Sequence, residues 1–303
     1  MRYRPVGQSG MVVSAVSLLL ATSRERPRAA DWASLVNAAL ESGINTFEAV
    51  DADPAIVDGL AQALAGVDRR LVFVVWRLGP MHATGGLRRD FSADGLSRQI
   101  QAALARTGLG YLDAVILDDP GPHELLPETF AALNHQKEQG CIQLIGVCGM
   151  DDVLDEHVAT GEFDLLAAPF NLTSPWKDRN RMRTAGEQNM TVFGRQPYPR
   201  DFHKAVTAAR AESPRDRGRL EALAGRGSYE FLDTTRGWTA EEICISYALT
   251  EPSLATVQIP APRISELEAI AAVPEREMPP GLAAQIEMAR FAPEAALGGQ
   301  RTA

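Results

Sequence analysis

Asp31-Trp32-Ala33-Ser34-Leu35-Val36-Asn37-Ala38-Ala39-Leu40-Glu41-Ser42-Gly43-Ile44-Asn45-Thr46-Phe47-Glu48 decides the fold. Over 31–42, Trp32, Leu35, Val36, Ala39 and Leu40 fall on one stripe at helical spacing, so the segment reads as an amphipathic helix facing a core. Gly43 follows where a left-handed C′ residue belongs. The pattern then changes, and 44–48 is a short run without clean polar alternation. Strands buried on both faces read this way. A helix closed by glycine and leading straight into a buried strand is the linkage of an alternating β/α chain.

The same alternation continues in both directions. Strands are expected at 14–20, 44–48, 71–76, 112–117, 142–148, 165–169, 191–194 and 254–259. Helices are expected at 31–42, 55–65, 92–107, 123–138 and 239–249, with Ser92 as an N-cap. Eight strands in this rhythm predict an α/β fold, a (β/α)8 TIM barrel. Ahead of it, 3–13 carries Gln8-Ser9-Gly10 between two short apolar pieces and reads as a hairpin capping the barrel floor. Two stretches break the rhythm. Residues 195–236 are long, charged and punctuated by Gly and Pro, with two short helices at most; residues 273–303 hold one helix near 281–290 and a polar tail. The organisation is therefore one domain over 1–303, with a hairpin at 1–13, the barrel at 14–272 and a C-terminal helix and tail at 273–303.

Composition narrows the function. The chain of 303 residues is 45% hydrophobic and 23% charged, as expected of a globular protein. A net charge of −9 argues against a nucleic-acid partner held by phosphate contacts. No apolar run approaches the ~18 residues of a membrane span. Three cysteines without metal spacing, and no apolar stretch behind the basic N-terminus, fit a reducing cytoplasm. A small-molecule substrate is the expected partner; oligomeric state is not legible.

Several motifs give the barrel a family likeness. Arg4-Pro5-Val6-Gly7-Gln8-Ser9-Gly10-Met11-Val12-Val13-Ser14 resembles the opening of the aldo-keto reductase family. Gly43-Ile44-Asn45-Thr46-Phe47-Glu48 resembles its second strand. Tyr111-Leu112-Asp113, Gly140-Cys141-Ile142 and Ile145-Gly146-Val147 resemble the fourth and fifth, and Phe163-Asp164 with Pro169-Phe170-Asn171-Leu172 the sixth. Val257-Gln258-Ile259-Pro260, followed by Arg263, resembles the late phosphate-binding strand and loop. The resemblance implies a site at the C-terminal strand ends and NADPH-dependent carbonyl reduction by a tyrosine acid, a lysine, an aspartate and a histidine.

At the positions matching that tetrad the chain carries other residues. Glu48 stands for the aspartate, Asp53 for the tyrosine, Arg77 for the lysine and Asp118 for the histidine. Arginine does not release a proton, and an ordinary aspartate, with a reference pKa of about 3.9, is ionised at neutral pH. The relay the resemblance implies is thus missing. The cofactor cradle departs too. Cys148-Gly149 replaces Ser-Asn, Ala167 a glutamine, Arg195 the stacking aromatic, and Leu19 and Leu20 a glycine and a threonine. Ala261-Pro262 follows Pro260, leaving Arg263 as the one match to a 2′-phosphate ligand. No cofactor is the favoured expectation, with NADP as the alternative.

What stands at the rim instead is a group of carboxylates: Glu48, Asp51, Asp53, Asp118 and Asp119. Two carboxyls brought close cannot both ionise cheaply, which makes one a proton donor near neutral pH. The favoured reading is a non-redox acid–base enzyme (a lyase, isomerase, cyclase or hydrolase) on a small polar metabolite. Asp118 and Asp53 act as acid and base, and Glu48 and Arg77 organise them. Two alternatives stay open: an NADPH-dependent reductase with a substitute proton donor, and a non-catalytic binding or regulatory paralogue. His82 and His123 could replace the imidazole, though loop histidines are usually solvated. Trp76, Cys148, Trp176 and Arg195 are further candidates to line the substrate site, Arg195 for an anionic group. Trp76 more often packs against helices, and Cys148 reads as a small apolar wall. Asp51, Asp53 and Asp118 could hold a hard cation, but their spacing is not diagnostic and no metal is expected.

Overall fold

The structure, a computed structural model, describes residues 1–23, 25–50, 53–83, 86–199 and 235–291. It opens with an antiparallel hairpin of β1 (Tyr3–Pro5) and β2 (Val12–Ser14), Tyr3 facing Ser14 and Pro5 facing Val12. Then β3 (Val16–Leu20) leads into α1 (Ala29–Glu41), β4 (Thr46–Ala49), α2 (Pro54–Leu64) and β5 (Phe73–Leu78). A second hairpin follows, β6 (Pro80–Ala83) with β7 (Gly86–Arg89). After it come α3 (Ala93–Thr107), β8 (Leu112–Asp118), α4 (Pro127–Glu138), β9 (Ile142–Cys148) and α5 (Asp151–Thr160). The remainder is β10 (Leu165–Pro169), α6 (Trp176–Glu187), β11 (Thr191–Arg195), α7 (Ala240–Leu249), β12 (Leu254–Pro260), α8 (Leu267–Ala272) and α9 (Leu282–Phe291). Eight parallel strands close into a barrel in the order β10-β11-β12-β3-β4-β5-β8-β9. This is the expected (β/α)8 TIM barrel.

Strand alternation sorts the core into two layers. Val74, Trp76, Val115, Leu117 and Val147 point outward and pack with Trp32, Leu35, Leu60, Leu96 and Ile100 of the helices. Phe73, Val75, Ile116, Cys148, Leu165 and Phe193 point inward and fill the barrel, with Val6 and Val13 of the first hairpin closing its floor. Between α1 and α2, a Cβ added at Gly59 would sit 2.5 Å from the Trp32 Cβ and 2.6 Å from the Ala29 carbonyl. Only glycine lets the two helices approach so closely.

Several boundaries differ from expectation. The fourth helix starts at Pro127 rather than at 123. Leu126, before the proline, is extended at φ −94°, ψ 161°, as a residue preceding proline prefers. The β6–β7 hairpin occupies what read as a plain loop. Helix α6 carries Trp-Lys-Asp-Arg-Asn-Arg-Met-Arg and buries only Arg181, Met182 and Ala185, so its apolar stripe is too thin to read. Residues 200–234, where short helices were expected, and the tail from 292 lie outside the described residues. No described helix is long and apolar enough to cross a membrane.

Candidate active site

Five strands deliver one connected polar chain to the C-terminal mouth of the barrel. Glu48 on β4 is wholly buried, and both of its oxygens are engaged. Arg77 on β5 donates to Oε1 through Nε at 2.8 Å and through its terminal nitrogen. Gln258 on β12 donates to Oε2. The other terminal nitrogen of Arg77 lies 3.5 Å from Oδ1 of Asp118, at the end of β8. Cys148, at the end of β9, donates its thiol to the same Oδ1 at 3.0 Å. The order is Gln258–Glu48–Arg77–Asp118–Cys148.

Burial grades along this chain. The side chain of Glu48 is 0% exposed, that of Arg77 4% and that of Asp118 23%, so the network opens to solvent only at Asp118. Burial works against the charge on Arg77, but the Glu48 and Asp118 carboxylates hold the guanidinium above its ordinary value. Burial also pushes the Cys148 thiol up to about 12, so it stays protonated and serves as a donor rather than a nucleophile.

The loop carrying Asp118 is braced from several sides. Asp119 takes a left-handed φ of 53°, and its amide donates to the Cys148 carbonyl at 2.8 Å. Arg89 of β7 donates to the Asp119 carbonyl, and its guanidinium lies 3.2 Å from Glu124. Buried His157 of α5 bonds the Pro120 carbonyl at 2.9 Å through Nε2. A Cβ on Gly149 would come within 2.8 Å of Oδ1 of Asp119, so a larger residue there would shift that side chain.

The other expected residues separate. Asp53 caps α2, accepting from the Ala55 amide at 2.7 Å and from the Thr22 hydroxyl at 3.1 Å. Among the described contacts it does not join the Glu48–Asp118 chain. Asp51 lies outside the described residues. His82 is on β6, opposite Leu87 in the hairpin register. His123 is exposed in the turn before α4. Trp76 points away from the mouth into the helix-facing core and is 4% exposed, because it alternates with inward Arg77. Trp176 begins α6, is 70% exposed, and lines an outer groove with Arg179 and Pro252 rather than the mouth. Arg195 ends β11, with its Nε buried and no acceptor among the described residues. Arg263 precedes a 3-10 turn, where its amide donates to Glu266 at 2.9 Å. No group of His, Cys, Asp and Glu able to hold a metal occurs among the described residues.

Three supporting residues escaped the sequence reading. Gln258 is a long polar side chain within a mostly apolar strand, and that oddity was a readable signal. Arg89 and His157 carried none, because their roles depend on how loops return to β8.

The aldo/keto reductase family model matches residues 19–289. The NADH-specific methylglyoxal reductase of Escherichia coli (strain K12) is 23% identical over 214 residues, 66% of this chain and 65% of that protein. The D-threo-aldose 1-dehydrogenase of a Pseudomonas species is 33% identical over 91 residues, 28% of each. The chain thus spans less than two thirds of the length of either relative. Among solved structures, an aldo-keto reductase from Bacillus halodurans in its holo form superposes with a TM-score of 0.77 at 19% identity, covering 95% of this chain and 96% of that one. Its apo form gives 0.71 at 18% identity over the same shares. With its model matched over most of the sequence and its barrel reproduced, this chain belongs to the aldo/keto reductase family.

Proposed function

We propose that the protein is a non-redox acid–base enzyme, a lyase, isomerase, cyclase or hydrolase acting on a small polar metabolite. The single observation behind this is the polar chain whose one solvent-facing member is the Asp118 carboxylate. Asp118 is the group that takes or returns a substrate proton. Arg77 and Cys148 fix the orientation of one oxygen, and Glu48 and Gln258 in turn fix Arg77. Glu48, with both oxygens bonded and no exposure, is a positioning residue. Asp53, already held as a helix cap at the rim, is the second carboxylate available to a bound molecule.

The family implies a nicotinamide nucleotide, and the residues present fit it poorly. Ala167 and Cys148 are wholly buried and offer the carboxamide neither an amide nor a hydroxyl. In the loop after β12, the Ala261 amide already donates to the Leu19 carbonyl at 3.2 Å, and Pro262 has no amide hydrogen. The Arg263 amide is taken by the Glu266 carboxylate, which also repels a phosphate. No step is routed through this cofactor.

One observation favours a second reading, a reductase with a substitute proton donor: the two curated relatives described above carry reductase or dehydrogenase names. The two are separated by offering small carbonyl compounds with NADPH or NADH, and small hydroxy and keto acids in deuterium oxide without nucleotide. The acid–base reading expects Asp118-dependent incorporation of solvent deuterium and no nucleotide oxidation. Reduction at ordinary rates that survives Asp118→Asn would sink it. Three unpaired cysteines, Cys141, Cys148 and Cys244, support placement in a reducing compartment such as the cytoplasm.

A further inference from the structure

We propose that Arg195 is an anion-recognition residue, selecting a small substrate that bears a carboxylate and presenting it to Asp118. The inference rests on the reading of Asp118 as the proton-transferring group and adds the substrate class. Alternation along β11 places Val192 in the outer layer and Phe193 inside the barrel, so Arg195, two residues on, shares the inward face. Its backbone is fixed. The Phe170 amide donates to the Arg195 carbonyl at 2.8 Å, and the Asn171 side chain donates to the Gln196 carbonyl at 3.0 Å. Gln196 itself is held at φ 51°, a strained setting for a residue with a side chain.

What sets Arg195 apart is an unmet donor on a guanidinium that no described carboxylate pairs; Arg69 also leaves its Nε unmet, but gives its terminal nitrogens to Asp113 and two carbonyls. Arg77 and Arg181 each donate through Nε to a carboxylate. The Nε of Arg195 is buried and finds no acceptor among the described residues. A buried guanidinium N–H without a partner is costly to folding, and an acceptor from outside the chain removes that cost. Arginine's planar fork matches a carboxylate bidentately. Asp118, Cys148 and Arg195 stand on inward positions at the ends of β8, β9 and β11, on one stretch of the barrel rim. Cys148 lies between the other two, bonded to Asp118 on one side and within electrostatic reach of Arg195 on the other. A rim with a cation and a carboxylate on either side of one thiol suits a molecule whose carboxylate adjoins the carbon or hydroxyl that exchanges a proton.

The test is calorimetric titration of the whole protein with lactate and acetate against lactamide and acetamide, which keep size and lose charge. The expected result is roughly tenfold tighter binding of each acid than of its amide. Arg195→Gln abolishes that preference, and Arg195→Lys, which keeps the charge without the fork, restores it in part. If Arg195→Gln loses its cooperative thermal transition, the wild-type and Arg195→Lys titrations decide. Equal binding of acid and amide, no saturable binding of either acid at millimolar concentration, or a preference unchanged in Arg195→Gln would overturn the proposal. Asp118→Asn separates this claim from the one beneath it. If it retains the acid preference and no tested acid shows Asp118-dependent deuterium exchange, the anion site stands and the acid–base reading falls.

Discussion

Strand β8 carries an aspartate near each end, each facing an arginine, and the two pairs are held differently. At the floor, Asp113 is 3% exposed, accepts from Arg69 at 2.5 Å, and takes the Val74 amide at 2.6 Å. Arg69 is further pinned on the Val72 and Tyr111 carbonyls and stacks on the Tyr111 ring at 4.0 Å. At the mouth, Asp118 meets Arg77 only at 3.5 Å, keeps a face to solvent, and shares a single oxygen with a thiol. A carboxylate buried against a guanidinium and a strand amide holds strands in register. One left part-exposed and more loosely paired can meet a ligand. Residue type alone does not separate the two; bonding and exposure do.

That contrast gives its largest expected effect at the mouth. Asp118→Asn should lower any Asp118-dependent deuterium exchange by about 10²–10⁴-fold while moving the urea midpoint little, as expected for a loosely held, part-exposed pair. A variant that instead unfolds like a core mutant would erase the distinction between the two ends. At the floor the pattern reverses. Asp113→Ala leaves Arg69 without its carboxylate and the Val74 amide without an acceptor, and should destabilise by about 3 kcal/mol. Chemical denaturation measures this directly.

The pH dependence sharpens the floor further. Burial lifts Asp113 above its ordinary value of 3.8 despite Arg69. The folded state therefore holds that proton more tightly than the unfolded chain. The resulting stability is complete below the unfolded value and is lost as pH rises through the lifted one. The gap between wild type and Asp113→Asn should narrow as pH climbs out of the acid range. Next in size is the helix layer: Gly59→Ala drives a methyl into Trp32 and the Ala29 carbonyl and should cost about 1–3 kcal/mol in the same assay.

The smallest effect concerns Cys148. Its thiol, lifted by burial from an ordinary 9.0 to about 12, should resist iodoacetamide at neutral pH. Half-buried Cys141 is the site expected to label. The folded thiol holds its proton past the point where the unfolded one has lost it. Its share of stability is thus full below pH 9.0 and declines towards about 12. Replacing Cys148 with serine should flatten that part of the alkaline stability curve.

The barrel was legible because its signals are local and repeated. The stripe from Trp32 to Leu40, the glycine at 43 and the run to Glu48 predict α1 and β4 within a residue or two. Where local signals conflict the reading slipped: Pro127 moved the start of α4, and charge masked α6. The site was half legible. Strand ends identified Glu48, Arg77 and Asp118, and the alternation beside Arg77 could have excluded Trp76 from the mouth. The division of roles was not legible. That Asp53 caps a helix, that Gln258 reaches Glu48 from the far side of the barrel, and that Arg195 keeps an unmet donor all depend on closure of the sheet. No spacing along the chain encodes it.

The most direct test of the central claim is a titration of the purified protein with NADPH and NADH followed by nucleotide fluorescence. The crowded loop after β12 and the buried Ala167 and Cys148 predict no saturable binding of either nucleotide. Tight binding of either one, with aldehyde-dependent oxidation that Asp118→Asn leaves intact, would contradict the account.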